Sequence, residues 1–413
     1  MGDTPPNDER LTNKGVESWH AAEMDRAEEF FRAAMAQARE VNAPETGSLL
    51  QWIAKVHMEK GELKAARVAF RDALARATAT SDLAAEAVIL LNYASLLKTV
   101  GETSEALTKY ERAAELADRL QNHRGHAHAL GNIANVHRVH GELDRSLELR
   151  QKALVILHKH GTPRDLGNSM ANMGSLLRSM GRLRESQQAF RKAIEYLEQA
   201  GATRSLVITH TNLAGVQMDA GRLDDAADLL TSAIGVAEAN ELPLQQTSAS
   251  VQMARLELKR RDADAALELA EEALDPRLPA AEATRIEAHI VAGLAHLELK
   301  QRDEARHNFM RAYEKSKAAE SYQFTMEALC LLAEMEIEAD AMPEARRLLG
   351  LLPDLPEDSQ VYARFALPLK LRLAKYAGDT GVGELIAAAN ESLKRWQAEG
   401  DRETAARIRS AIN

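Results

Sequence analysis

Two polar residue types recur along the chain at one fixed spacing, and both suit binding better than bond-making chemistry. An asparagine recurs at Asn92, Asn132, Asn172 and Asn212, and a cation follows six positions later at Lys98, Arg138 and Arg178. A further amide, Asn135, lies between Asn132 and Arg138. An amide can pair with a peptide backbone, and a guanidinium can bind a carboxylate through two hydrogen bonds. The pattern therefore predicts a surface that binds an acidic peptide.

Motifs for catalysis or cofactor binding do not occur in the sequence. There is no GxxxxGK[ST], GxGxxG, HExxH or GxSxG. The single cysteine, Cys330, excludes a disulfide framework and a multi-cysteine zinc site. Seven of the 13 histidines lie in residues 121–190, and a metal site there is an alternative, but an exposed cluster is the preferred interpretation. We therefore predict no enzymatic activity, no metal and no cofactor.

The elements that position these side chains can be inferred from five glycines. Gly61, Gly101, Gly141, Gly181 and Gly221 recur at the same fixed interval as the polar residues, each between two apolar segments. Small residues recur seven before, five after and twelve after each glycine, and large ones such as Phe70, Tyr110 and Phe190 stand nine after it. Glycine readily adopts the left-handed conformation that ends a helix. The period thus predicts a repeated unit of helix A, a turn at the glycine, and helix B.

The asparagines and cations precede the glycines by nine and three positions, so they fall on one face of helix A. Core positions such as Ile133 and Val136 fall on the other face. Stacked units would turn the polar face into parallel ladders of amides and cations. Two alternatives remain: the asparagines could be structural, capping or bridging to a neighbouring helix, and the cations could lie on a solvated face.

In GETSEALTKYERA, a glycine is followed at fixed distances by an alanine, an aromatic residue and a second alanine. This pattern, in which Gly or Ala can occupy the first position, resembles the tetratricopeptide repeat. The units are about 40 residues long, against ~34 residues in the standard repeat, and mostly lack its final proline. This departure is similar to Pins-type and kinesin-light-chain-type scaffolds. The resemblance implies a right-handed superhelical solenoid whose concave face is lined by A helices. It also implies a peptide-binding role for Asn92, Lys98, Asn132, Asn135, Arg138, Asn172, Arg178 and Asn212.

The repeat frame extends beyond the five glycines in both directions. Turns are expected near Ala22, Lys300 and Asp340, and Ala266 and Ala273 mark a further unit between Gly221 and Lys300. We therefore predict an all-α fold of about nine helical pairs with a C-terminal helical cap. Residues 1–12 are expected to be a flexible N-terminus, residues 13–352 the repeat array, and residues 353–413 irregular helices and the cap.

Charge and hydropathy limit the partners and the compartment. The net charge is -10, yet residues 121–190 hold ten Lys or Arg against five Asp or Glu. An acidic chain with few aromatic residues argues against nucleic acid. No uncharged run is long enough to cross a bilayer, and the N-terminus lacks an apolar signal core. We expect a cytoplasmic protein, and a homodimer formed through the C-terminal third is an alternative.

Two functions fit these observations. The first is a protein-interaction scaffold or adaptor whose groove binds an acidic peptide segment of a partner protein. The second is a regulatory receptor that senses a peptide and changes its superhelical shape on binding. A receptor for chaperone tails is not favoured, because the positions one helical turn before the asparagines carry no Lys or Arg: Val88, His128, Asn168 and Ile208.

Overall fold

The computed structural model describes residues 7–20, 23–40, 46–100, 102–319, 321–352, 360–377, 382–399 and 402–412. Within these ranges the secondary structure is helical, without strands. The helices are α1 Asn7–His20, α2 Met24–Glu40, α3 Thr46–Glu59, α4 Leu63–Ala79, α5 Leu83–Thr99, α6 Thr103–Arg119, α7 His123–Val139, α8 Leu143–His160, α9 Pro163–Ser179, α10 Leu183–Gln199, α11 Thr203–Asp219, α12 Leu223–Ala239, α13 Pro243–Arg260, α14 Ala263–Leu274, α15 Glu282–Glu298, α16 Arg302–Ala318, α17 Tyr322–Glu338, α18 Met342–Leu349, α19 Gln360–Ala377, α20 Val382–Glu399 and α21 Arg402–Ile412.

The turns inside the repeats lie where the glycine spacing predicts them. Gly61, Gly141, Gly181 and Gly221 have φ angles of 75° to 80°, and each separates an A helix from its B helix. The equivalent corners at Arg261, Lys300 and Asp340 also have positive φ angles, without glycine. Gly101 and the predicted turn near Ala22 lie outside the described residues. Among the described helices, α1 packs with α2, α3 with α4 and α5 with α6, and the five pairs from α9 with α10 to α17 with α18 pack in the same predicted way.

The length of the repeat arises from long helices rather than from long connections. Helices α4, α5, α6, α9 and α10 each contain 17 residues, and most other helices of the array are equally long. Short corners join most helices of the array to the next, both within a repeat and between repeats, and the connection from α14 to α15 is longer. The corners between repeats are formed at Ser81, Gln121, Gly201 and Glu241, which also have positive φ angles. Local signals fix helix starts as well, since Thr162 and Asp165 form a capping box that begins α9.

The chain forms two compact units, unit 1 with residues 1–136 and unit 2 with residues 137–413. Most consecutive helices within a unit pack against one another, as in α4 with α5 and α10 with α11, and A helices contact the A helix of the next repeat, as in α3 with α5 and α11 with α13. These contacts confirm a stacked array of helical repeats. The predicted borders of the array at residues 12 and 352 stay predictions.

Aromatic residues of the B helices pack against small residues of the A helices. Phe190 of α10 is fully buried, and a Cβ atom placed on Gly174 of α9 would lie 2.9 Å from its ring. Phe309 and Gly293 repeat the arrangement between α16 and α15. In these two pairs the small residue seven positions before the corner therefore accepts the aromatic residue nine positions after it, which sets the close packing of the two helices.

Beyond the array, α19 packs against α17 and α18, and α20 and α21 pack against α19. Buried residues of α19, including Phe365 and Leu369, join a core cluster with Met326 and Leu329 of α17. Within the described residues, none of the helices combines the length and apolar character needed to cross a membrane.

Candidate functional site

Unit 2 contains a cavity of about 700 Å³ formed by the A helices of its repeats. Its lining comes from α7, α9, α11, α13, α15 and α17, with Phe365 of α19 and Arg407 of α21. Only Phe190 comes from a B helix among the described lining residues. The volume is within the range of ~300–1,000 Å³ that is typical of ligand sites. The polar side chains of the A helices thus face a space that could hold a short peptide.

The structure brings three of the predicted site residues into this cavity: Arg138, Arg178 and Asn212. Asn172 is not among its described lining residues. The other four, Asn92, Lys98, Asn132 and Asn135, belong to unit 1. Their role in binding stays a prediction.

Asn92 shows one use of the repeated asparagine that does not require a ligand. Its Nδ2 atom donates a hydrogen bond to the backbone oxygen of Val88, one turn earlier in α5, at 3.1 Å. Such a bond occupies one donor of the amide within its own helix. At this position the structural alternative for the asparagines therefore has direct support.

Arg178 is held in place by two residues of α11. Its Nε atom donates to Oδ2 of Asp219 at 2.7 Å, and the Asp219 side chain is only 6% exposed. A Cβ atom on Gly215 would lie 2.6 Å from Cζ of Arg178, so the guanidinium lies against bare backbone there. The predicted cation is therefore present in the cavity, but a carboxylate of the protein already pairs with it.

Arg255 of α13, a cation that the repeat pattern did not single out, pairs with two acids of the cavity. Its Nε atom lies 3.1 Å from Oε1 of Glu287, and its Nη1 atom lies 3.4 Å from Oε1 of Glu327. Burial lowers the pKa of Arg255, but the charges of Glu327 and Glu287 more than offset this effect, and the resulting pKa is above its ordinary value. Arg255 stays charged and ties α13 to α15 and α17.

The end of the cavity beside the C-terminal helices contains the reverse arrangement, one acid between two cations. Glu334 of α17 lies 3.3 Å from Nη1 of Arg372 and 3.4 Å from Nη2 of Arg407. These pairs attach α19 and α21 to the repeat array through a residue of the cavity wall. The C-terminal helices therefore contribute to the site.

The described lining is of mixed charge rather than uniformly basic. Its cations are Arg138, Arg178, Arg255, Lys259 and Arg407, and its acids are Asp219, Glu287, Glu327 and Glu334. Five positive against four negative side chains leave one net positive charge. The sequence contained a signal for two of the missed acids, since Glu287 and Glu327 precede the corners at Lys300 and Asp340 by thirteen positions, the register of Val88 and His128 in earlier repeats.

Arg138 differs from the paired arginines of the cavity. Its side chain is half-buried in the wall, and no ion pair or side-chain hydrogen bond joins it to any described residue. Burial lowers the pKa of Arg138 from its ordinary value, because a desolvated charge without a counter-charge is disfavoured. Arg138 is therefore a position of the lining where an incoming anion need not displace a carboxylate of the protein.

The family described as the MalT-like TPR region matches residues 71–277, half of the chain. The chain belongs to this family. The match covers α5 to α14 in full, with part of α4, and it confirms the resemblance to tetratricopeptide repeat proteins. No curated protein matches this member of the MalT-like TPR family.

Solved structures of other repeat proteins share the fold at low identity. A Rap protein complexed with competence and sporulation factor has a TM-score of 0.57 at 14% identity, over 76% of this chain and 98% of that one. The apo quorum sensor NprR from B. thuringiensis also has a TM-score of 0.57, at 12% identity over 76% and 89%. The Rap conjugation gene regulator of plasmid pLS20, solved with a peptide, has 0.54 at 14% identity over 90% and 98%. At such identities the likeness supports the fold.

Proposed function

We propose that this TPR protein is a non-enzymatic interaction scaffold or adaptor, and that the cavity of unit 2 binds a peptide segment of a partner protein. The observation that carries the proposal is the cavity of about 700 Å³ lined by consecutive A helices. Its lining mixes apolar side chains, among them Leu294, Phe324 and Leu331, with amide, hydroxyl and charged groups. Such a lining suits a ligand that has both a polar backbone and apolar side chains.

An acidic ligand is supported at one position rather than along the whole surface. Arg178 and Arg255 are engaged with Asp219, Glu287 and Glu327, so they add little net attraction for an acid. Arg138 has no such counter-charge among the described residues. We therefore propose a peptide with one carboxylate that binds near Arg138, followed by polar and apolar residues.

A peptide-sensing receptor is the second candidate function. Structures of similar fold include a Rap protein complexed with competence and sporulation factor, and the quorum sensor NprR. Ion pairs between repeats line the cavity and give a change of shape on binding a physical basis. A ligand that competes for Arg255 or Glu334 would change the contacts between α13, α15, α17 and the C-terminal helices. Small-angle scattering separates the two functions: a receptor should become more compact when a bound peptide is added, and a scaffold should not.

The charge and motif content of the sequence support further parts of the proposal. We propose that the protein acts in the cytoplasm, binds protein rather than nucleic acid, and needs neither metal nor cofactor. A homodimer formed through the C-terminal third is retained as an alternative, and sedimentation velocity of the full chain tests it.

The main proposal can be tested with a pool of random heptapeptides that carry free carboxyl termini. The full chain is mixed with the pool and separated by gel filtration, and the bound peptides are identified by mass spectrometry. Ser175→Trp would fill the cavity, because Ser175 lies in its lining, and should abolish retention. Val155→Trp is the matched control, since Val155 is 61% exposed on α8 and is not in the lining. Equal retention by both variants would show that the peptides bind elsewhere.

A further inference from the structure

One amide of the cavity wall continues the series of asparagines and lacks a hydrogen-bond donor. Gln252 of α13 stands nine positions before the corner at Arg261, as Asn212 does before Gly221. It lines the cavity of unit 2 and is only 9% exposed. Its Oε1 atom is shielded from solvent and accepts no hydrogen bond from any described residue. A buried acceptor without a donor costs free energy, so a positively charged donor in the cavity would relieve this cost.

The same face of α13 carries Arg255, which binds more acid than it can neutralise. Arg255 follows Gln252 by three positions, so the two side chains are neighbours on the helix surface. Its guanidinium contacts Oε1 of Glu287 on α15 at 3.1 Å and Oε1 of Glu327 on α17 at 3.4 Å. Within the described part of the chain, no second cation forms an ion pair with either acid. Two negative charges against one positive charge leave one negative charge in this part of the wall.

This excess of negative charge is not repeated elsewhere in the described lining. Asp219 has the guanidinium of Arg178, and Glu334 lies between two arginines. The side chains of Glu287 and Glu327 are only 21% and 14% exposed, so solvent screens their charges incompletely. A cation that enters the cavity would therefore gain more free energy beside these two acids than at the other ion pairs.

The chemistry of the acceptors favours an ammonium group over a metal ion. Among the residues that the structure describes, no group of three or more His, Cys, Asp or Glu side chains could hold a metal. An ammonium group has three donors and no acceptor. Two carboxylates and one amide carbonyl supply three acceptors, which matches that number.

We propose that Glu287, Glu327 and Gln252 form a subsite for a primary ammonium group of the bound peptide. The two carboxylates accept hydrogen bonds from the ammonium, and the Gln252 carbonyl is the third acceptor. Arg255 is a positioning residue that holds both carboxylates at the wall. The proposal deepens the proposed peptide-binding function and rests on it for the source of the ammonium, which is either the amino terminus of the peptide or a lysine side chain.

The test uses methylammonium chloride as the probe and thermal unfolding of the full chain as the readout. Tetramethylammonium chloride at equal concentration is the reference, because its cation has no N–H donor. We expect the unfolding temperature in methylammonium to exceed that in tetramethylammonium by about 2 °C more in the wild type than in E287Q, E327Q or Q252M. Each Glu variant keeps one acid paired with Arg255, so the fold should be retained.

E268Q is the matched control, because Glu268 is exposed on the B helix α14 and is not in the described lining. It should respond to methylammonium like the wild type. Equal responses in the wild type and all three variants would overturn the subsite. A full response in only one of E287Q, E327Q and Q252M would remove that residue from it.

The source of the ammonium is identified with the random heptapeptides. Loss of retention when the amino termini are acetylated assigns the subsite to the terminus, and loss when lysine is omitted from the pool assigns it to the side chain. Retention that neither change lowers would show that the subsite takes no part in peptide binding. A methylammonium response in a protein that retains no heptapeptide would leave the subsite intact and overturn the peptide-binding proposal. Retention of heptapeptides without any methylammonium response would do the reverse.

Discussion

The Nε atom of Arg178 and the Oδ2 atom of Asp219 lie 2.7 Å apart and connect the ends of α9 and α11, two A helices in consecutive repeats. Residues 41 positions apart in sequence thereby form an ion pair in the wall of the cavity. Arg178, which the sequence predicts to bind a ligand, therefore forms a contact within the protein itself. It also fixes one guanidinium so that the cavity keeps a defined shape.

Replacing Asp219 by Asn should destabilise the protein and free Arg178 at the same time. Asp219 is nearly buried, and loss of its charge leaves the half-buried guanidinium of Arg178 with a weaker partner. We expect a loss of ~1–3 kcal/mol in the free energy of unfolding, measured by urea denaturation. D228N is the control, because Asp228 is not buried and lies on the B helix α12. If D219N lost no more stability than D228N, the ion pair between Arg178 and Asp219 would not stabilise the fold.

Two glycines of the repeat array should respond oppositely to alanine. At Gly174 a Cβ atom would press on the buried ring of Phe190, so G174A should lose ~1–3 kcal/mol in unfolding free energy. At Gly235 of α12 nothing lies within 4 Å of such an atom, and G235A should gain ~0.5–1 kcal/mol from helix propensity. Thermal or urea unfolding measures both. A neutral or stabilising G174A would contradict the close packing of α9 with α10.

Gly215 offers a milder substitution that acts on the site. A Cβ atom there would meet the flexible end of Arg178 rather than a rigid core group. G215A should therefore leave the unfolding free energy within about 1 kcal/mol of the wild type, because gained helix propensity offsets the displaced ion pair. Peptide retention should nevertheless change, since the guanidinium must move. Retention identical to that of the wild type would show that the position of Arg178 does not matter for binding.

The thiol of Cys330 should be inert in the folded protein although it borders the cavity. It is 1% exposed, and burial raises its pKa to about 12, so the thiolate is scarce at pH 8. Iodoacetamide at pH 8 should leave the native chain unmodified and label it fully in urea, as followed by intact mass. Rapid labelling of the native chain would mean that α17 opens locally.

The stability of the folded protein should depend on pH near neutrality because of His289 of α15. Burial lowers its pKa, so the folded state favours the neutral ring more than the unfolded state does. Its stabilising contribution is present above pH ~6.5 and is lost as the pH falls through the lower folded-state value. The urea midpoint of the wild type should drop more than that of H289Q between pH 7.5 and 5.5. Parallel curves would rule out this role.

Positions governed by local geometry could be predicted from the sequence. A helix end needs a residue that tolerates positive φ, and the regular spacing of the glycines located Gly61, Gly141, Gly181 and Gly221 at corners. The same frame located Lys300 and Asp340, where no glycine marks the turn. Small residues such as Gly174 likewise indicated where helix B packs closely against helix A.

The binding residues were predicted less completely. Arg138, Arg178 and Asn212 face one cavity, whereas Asn172 is not part of its described lining. Arg255 was missed because its partners are distant along the chain: Glu287 and Glu327 follow 32 and 72 positions later.

The sequence by itself determined the repeat, its corners and the helix face that carries the polar residues, because these depend on interactions within one repeat or between adjacent ones. Only the tertiary structure decided which charges are neutralised. Electrostatic pairing depends on distance in space, and stacked helices bring together side chains that the linear order separates. For that reason the cations that the sequence places in a ladder differ in the folded protein: Arg178 pairs with Asp219, and Arg138 has no ion pair with any described residue.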